Sequence, residues 1–272
     1  MTQPLLYESH MHTPLCRHAR GEPEEYAAVA QKRGLAGIIV TCHNPLPHGW
    51  AQGSRMYPND WENYLQIVER ARNEWAGRVD VRLGLEADYW PGLEPFLEEQ
   101  LQSADFNHVL GSVHPQVGDY RAQFWMGDAR EYQRTYFEHL AMAAEIGLFD
   151  TLSHPDLVKN FTADAWQLDE IMPDIRRALD RIAEAGTAME LNTSGRHKTI
   201  PEMNPGFEIL CEMQARGIPV TLGADAHDPH RVAEGYEDAM TILQRAGYEK
   251  IGFFLERKRH ELPIAEARAS LR

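Results

Sequence analysis

Along the chain, short runs of apolar residues alternate with longer stretches in which apolar positions recur three and four residues apart. The runs cover residues 5–11, 37–42, 79–86, 108–113, 149–153, 188–192 and 219–223, and each predicts a buried strand. Between and after them, residues 24–33, 61–75, 93–101, 130–146, 168–185, 205–216 and 233–246 predict amphipathic helices. Strict alternation of seven such units predicts an α/β fold on a parallel sheet, closed as a barrel or open and doubly wound.

Polar residues at the strand ends separate the two. Nearly every predicted strand finishes in groups that an apolar core rejects unless they are partnered: His10 and His12, His43, Glu86, His114, His154, Glu190 and Asn192, then Asp225 and His227. A parallel barrel converges its C-terminal strand ends on one mouth, whereas an open sheet spreads them along a row. The expected architecture is therefore a distorted (β/α)7 TIM-like barrel.

Side chains two apart on a strand face the same way, so His10 with His12, and Asp225 with His227, turn into one site. Imidazole and carboxylate are the usual ligands of zinc, iron and manganese, and a carboxylate such as Glu86 can bridge two ions. With His18 in the loop after the first strand, the candidate metal ligands are His10, His12, His18, His43, Glu86, His114, His154, Asp225 and His227. Three protein ligands suffice for an ion with an open position, so this set, with one member shared, suits a trinuclear divalent cluster of Zn, Fe or Mn. A single strand histidine is ordinarily a hydrogen-bonded core residue. Burying all of these independently would require a separate partner for each.

Composition narrows the partners. The 272 residues carry 27 Lys and Arg against 41 Asp and Glu, a net charge of −14 that excludes a broad basic face for nucleic acid. No apolar run approaches the ~20 residues of a membrane helix, and residues 1–8 do not read as a secretion signal. Cys16, Cys42 and Cys211 are too few and scattered for a disulfide framework, so a reducing, cytoplasmic setting is expected. Cys42 is expected to pack behind the barrel and Cys16 to be a small loop residue. No linker-like tract interrupts the chain, which predicts one domain over residues 1–272, with no oligomeric state readable.

The segments His10-x-His12, Thr41-Cys42-His43-Asn44, Gly84-Leu85-Glu86, Gly111-Ser112-Val113-His114, Ser153-His154-Pro155-Asp156, Glu190 to Gly195 and Gly223-Ala224-Asp225-Ala226-His227 occur in this order. Together they resemble the PHP (polymerase and histidinol phosphatase) superfamily and, within it, the histidinol-phosphate phosphatases. That resemblance implies the PHP fold with three metals. It also implies a partition: His10, His12, Glu86 and Asp225 on one ion, Glu86 bridging to a second held by His114 and His154, and His18, His43 and His227 on the third.

On this reading the chain is a phosphomonoester hydrolase acting on a small phosphorylated substrate, L-histidinol phosphate foremost. A metal-bridging hydroxide would attack phosphorus, and Glu86, Asp225 and His227 carry the catalytic roles. Candidate substrate-binding residues are Lys159, Arg196, His197, Lys198 and Arg17 as phosphate donors, and Asp88 for an ammonium group or for orienting an imidazole. Residues 45–58 form a candidate lid, and residues 256–272 a candidate surface helix. Alternatives are a PHP phosphoesterase for nucleotides or other small phosphates, an amidohydrolase-like metallohydrolase, and a non-catalytic metal-binding module. The amidohydrolase reading leaves His18 and His43 surplus and finds no strand-end lysine.

Overall fold

A computed structural model describes residues 5–272. The apolar runs become parallel strands β1 (Tyr7–Glu8), β2 (Gly37–Val40), β3 (Asp80–Asp88), β4 (His108–Ser112), β5 (Thr151–Leu152), β6 (Ala188–Asn192) and β7 (Val220–Gly223), each paired to the next. Nearly every residue in them is buried, as expected of strands covered on both faces. Helices α1 (Pro23–Arg33), α2 (Trp61–Trp75), α3 (Glu94–Leu101), α4 (Gly118–Phe124), α5 (Ala129–Glu145), α6 (Leu168–Ala185), α7 (Phe207–Ala215) and α8 (Tyr236–Ala246) connect them. Their inner faces follow the helical period. Helix α2 buries Tyr64, Ile67, Val68, Ala71 and Trp75, and α6 buries Ile171, Ile175, Ala178, Leu179 and Ile182.

Two features differ from the sequence expectation. Helix α4 precedes α5 where the periodicity predicts no element, and the tail is more than a surface helix. Strand β8 (Lys250–Leu255) pairs in parallel with β7 at Thr221 and Gly252, then turns into antiparallel β9 (Lys258–Pro263) before helix α9 (Ile264–Ser270). Residues of β9 are mostly exposed, so no apolar run announced it.

The barrel closes unevenly. At the mouth, the chain beyond β1 bridges directly to the chain beyond β7 through Met11 and Ala226, with His12 N donating to Ala226 O at 2.9 Å and Ala226 N to His10 O at 3.0 Å. Toward the other end Tyr7 stacks on Phe253 of β8 at 5.3 Å, so β8 enters the seam only there. Beneath the mouth the buried Glu8 carboxylate accepts from the backbone N–H groups of His10, Ala224 and Ala233 at 3.1, 3.0 and 2.6 Å, and from Tyr236 OH at 3.0 Å. One acidic side chain thereby joins β1, the end of β7 and the approach to α8. Among the described residues no helix is long and apolar enough to cross a membrane.

Candidate metal centre

The strand ends deliver their polar side chains to one place. Glu86 occupies the middle of it, buried on β3, and its two oxygens face different partners. Oε2 lies 3.4 Å from His10 Nε2 and 3.5 Å from His12 Nε2, whereas Oε1 lies 3.3 Å from His114 Nε2 and 3.0 Å from His154 Nε2. Asp225 Oδ1 adds contacts at 3.6 Å to His10 Nε2 and 3.1 Å to His12 Nε2. His18 Nε2 and His227 Nε2 face each other at 2.9 Å, and His43 lies between the groups, its Nδ1 2.6 Å from Glu86 Oε2. His154 and Asp225 aim their side chains from a left-handed backbone, φ 29° and 49°, a conformation in which His and Asp are enriched among non-glycine residues.

The remote ring nitrogens are mostly engaged, which sets tautomers. His10 Nδ1 donates to Glu190 Oε1 at 2.7 Å and His114 Nδ1 to Asp88 Oδ1 at 2.6 Å. His18 Nδ1 donates to Cys16 O at 2.8 Å and His227 Nδ1 to Asp225 O at 3.0 Å. Carbonyl oxygens only accept, so in the neutral rings the facing Nε2 atoms of His18 and His227 are both lone pairs. At that separation they repel unless a cation lies between them. His10 Nε2 and Glu86 Oε2 are likewise buried without a hydrogen-bond partner. Such orphaned acceptors converging from separate strands, with their outer nitrogens held by carboxylate or carbonyl, fit divalent metal.

Electrostatics point the same way. Burial opposes ionisation of Glu86 and Asp225, yet the surrounding histidines outweigh it and hold both carboxyls well below the usual range. Burial lowers the His12 imidazole, but Asp225 reverses this and it is pushed up to about 9. Burial, with His12 nearby, takes His227 down to about 3, and burial with the Arg55 charge keeps His43 well below the ordinary histidine value. The carboxylates thus ask for positive charge while several rings stay neutral, the state in which imidazole binds metal.

Supporting residues come from further along the chain. Asp88 is clamped by Arg55, which makes one contact at 2.9 Å and a second, shorter one from Nε. Glu190 Oε2 accepts from His154 N and from Asn192 Nδ2, both at 2.9 Å. A Cβ at Gly223 would overlap Glu190 Oε1 and the His10 Cβ, so this close approach requires glycine. Ser112 Oγ donates to Glu86 Oε1 at 2.7 Å.

A cavity of about 370 Å³ opens over the cluster, with His18, His43, His114, His154, Asp225 and His227 in its wall. Of the expected substrate-binding residues, His197 and Lys198 line it, the latter with Nζ 3.7 Å from Asp225 Oδ2. Gln116, Phe161, Ser194 and Arg231 also line it, and sequence reasoning missed them. Arg231 follows the Asp225-x-His227 pair by four residues, so extending the loop reading past the last strand would have found it. Its Nη2 is buried without a partner.

The other expected donors lie elsewhere. Lys159 is fully buried, its ammonium taken by Asp156 and Glu202, each at 2.8 Å, and by Met203 O at 3.3 Å. Arg196 pairs with Asp238 at 2.6 Å. Arg17 pairs with Asp60 and lies over the Tyr57 ring. Asp88 is fully buried, bonded to His114 Nδ1 at 2.6 Å, and is not among the residues lining the cavity. The 45–58 segment is tied down by buried Leu46, Arg55 and Met56, contrary to a free lid. Cys42 and Cys16 are both buried, and both sulfurs lie within 4.8 Å of a ring nitrogen of His12, so Cys42 does not simply pack behind the barrel and Cys16 is no bystander loop residue.

Comparison with known proteins bears on this site. Residues 8–194 match the model of the PHP domain. A protein of Deinococcus radiodurans named "Probable histidinol-phosphatase" is 38% identical over 255 residues, covering 91% of this chain and 96% of its own length. The histidinol-phosphatase of Bacillus subtilis is 26% identical, covering 85% of this chain and 96% of its own length. Among solved structures, histidinol phosphate phosphatase of Lactococcus lactis, complexed with zinc, L-histidinol and phosphate, superposes with a TM-score of 0.78 at 21% identity, over 94% of this chain and 98% of its own. At that identity the likeness speaks for the fold.

Proposed function

Because the chain belongs to the PHP domain family, we propose that it is a metal-dependent phosphomonoester hydrolase whose substrate is L-histidinol phosphate, released as L-histidinol and phosphate. The observation that carries this reading is the division of buried Glu86 between two sets of histidines, two of which, His114 and His154, line an open cavity. Three divalent ions, Zn, Fe or Mn, would be held by His10, His12, Glu86 and Asp225, by Glu86, His114 and His154, and by His18, His43 and His227. When bound, they supply Lewis acidity toward phosphate oxygens and activate water.

The remaining work falls to the chain. Lys198 and Arg231 line the cavity as cationic donors with His197 beside them, and the unpartnered Nη2 of Arg231 is suited to a phosphate oxygen. Asp225 and His227 face the same space as unprotonated groups, placed to take a proton from water and pass it to the leaving oxygen. Phe161 and Leu157 offer an apolar wall for the organic part. The relatives named as histidinol-phosphatases match over nearly their whole length, which supports histidinol phosphate over other small phosphates. We read residues 1–272 as one barrel domain, a view supported by the single sheet and contiguous core; residues 1–4 lie outside the described residues.

The test is to measure metal content of the purified protein, then phosphate release from histidinol phosphate beside nucleotides, sugar phosphates and an aryl phosphate. A strong preference for histidinol phosphate is expected, and Glu86→Ala should lose activity and metal together. Similar slow rates on every substrate would count against the proposal, as would full activity of metal-replete Glu86→Ala.

A further inference from the structure

We propose that Cys16 and Cys42 form an oxidisable thiol pair, which a peroxide closes to a disulfide that draws together the two segments bearing His12, His18 and His43. Both residues are free thiols and fully buried. Their Sγ atoms and a ring nitrogen of His12 all lie within 4.8 Å of one another, and Cys16 Sγ lies as close to ring nitrogens of His18 and His227. His12 Nδ1 is itself buried without a hydrogen-bond partner.

The two sulfurs reach this point from separate segments. Cys16 ends the short turn Pro14–Cys16 between His12 and His18, and Cys42 sits between the end of β2 and His43. Cys42 Sγ is fixed against the first segment, accepting from Thr13 Oγ1 at 3.2 Å and from Thr13 N at 3.4 Å. His18 and His227 line the cavity, so an oxidant as small as hydrogen peroxide has a short route to Cys16. In the reaction two S–H bonds and the O–O bond break, one S–S bond forms, and the hydrogens leave in two waters. The sulfurs are oxidised and the peroxide reduced. A disulfide needs its sulfurs at ~2.0 Å, closer than two thiols pack without a bond, so closure moves both side chains and pulls on the segments that carry His12, His18 and His43. The third cysteine, Cys211 on α7, belongs to none of these groups.

The experiment treats zinc-loaded protein with hydrogen peroxide, then counts thiols after denaturation and maps peptides by mass spectrometry. The expected result is loss of two of the three thiols, a mass lower by two hydrogens, a link between the peptides holding Cys16 and Cys42, and recovery with dithiothreitol. C211S should behave as the parent, and C42S or C42A should form no such link. Retention of all three thiols, a link to Cys211, or oxygen addition at Cys16 with Cys42 still reduced would each overturn the pair. The effect on the ligands rests on the metal-centre reading: zinc affinity should fall about 10-fold or more on oxidation and return on reduction. Unchanged affinity in disulfide-linked protein would overturn that coupling. Protein that takes up no zinc before oxidation would overturn the metal-centre reading instead, since the pair is read from thiols alone.

Discussion

Replacing Arg55 with methionine tests whether a side chain remote in sequence governs the metal affinity of His114. Arg55 is 2% exposed and Asp88 is fully buried, and the guanidinium grips both carboxylate oxygens while His114 Nδ1 shares Oδ1. Burial raises the Asp88 carboxyl, but the Arg55 and His114 charges dominate and bring it well below its usual range. Removing one member of such a buried pair costs ~3–5 kcal/mol, because the other charge stays desolvated and unpaired. The lone carboxylate then relieves itself by drawing a proton onto itself or onto His114.

Arg55 lowers the His114 imidazole by its charge, so losing it raises that ring further. A proton on Nε2 competes with metal for the same lone pair. Metal affinity in Arg55→Met should drop about 10- to 100-fold, as for other residues that orient a ligand histidine. The loss should deepen as pH falls and shrink as it rises. Chelator competition across neutral pH measures both the affinity and its pH slope, and thermal melting of metal-free protein reports the stability cost. Arg55→Met with Asp88→Asn removes both charges yet keeps an acceptor for His114 Nδ1, so it should recover much of the lost stability. Parental affinity and slope in Arg55→Met would refute the reasoning, as would a double variant no more stable than the single one.

Glu190→Gln keeps an acceptor for His10 Nδ1 but removes its charge, and should weaken metal binding about 10-fold; Glu190→Ala should do worse, because His154 N and Asn192 Nδ2 also lose their acceptor. Gly223→Ala forces a methyl into Glu190 and His10, so calorimetry should find it destabilised by ~1–3 kcal/mol, with metal occupancy reduced. His108, buried against Thr151 and stacked on Phe254, is held down to about 3 by burial. Its folded pKa is below the unfolded value near ~6.5, so its contribution is present above that pH and is lost as pH falls toward about 3. This amounts to ~5 kcal/mol at most. Denaturant unfolding of metal-free His108→Phe should show a shallower loss on the acid side than the parent, and an equal loss would remove His108 from the account.

The seven longer helices were legible because each buries one face at helical spacing, α2 and α6 falling where the periodicity places them, whereas the short α4 was not. Strands β8 and β9 were not. Only β8 carries an apolar run, and the charged residues after it read as a helix although they are the exposed face of a hairpin. At the site, the polar strand ends named a group of side chains that the structure brings within contact, because alternation along a strand dictates direction. Their supports were hidden, since a partner for an outer ring nitrogen can come from anywhere. Arg55 lies in a proline-rich segment that reads as a lid, and only tertiary packing shows its guanidinium reaching Asp88. Lys159 erred the other way: a loop lysine looks the same in sequence whether it meets solvent or, as here, two carboxylates.

The distortion of the barrel adds to the chemistry of its mouth. In a regular eight-stranded barrel β8 would separate β1 from β7 along their whole length, and each added strand spaces its neighbours by ~4.8 Å. Here β8 pairs with β7 only at Thr221, and above that level the segments beyond β1 and β7 meet directly through Met11 and Ala226. That direct seam puts His12 Nε2 3.1 Å from Asp225 Oδ1 and His10 Nε2 3.6 Å from the same oxygen. Side chains can also meet across an intervening strand, as His10 and Glu86 of β3 do at 3.4 Å with β2 between them, so what the seam adds is a direct backbone link between the two ligand-bearing segments. Glu8 secures the arrangement from below, because its carboxylate takes N–H groups from both sides of the seam. The −14 charge of the whole chain therefore says little about its mouth. There Glu86 from β3 and Asp225 from the seam meet in a site that demands cations, and the cationic Lys198 and Arg231 stand at its rim.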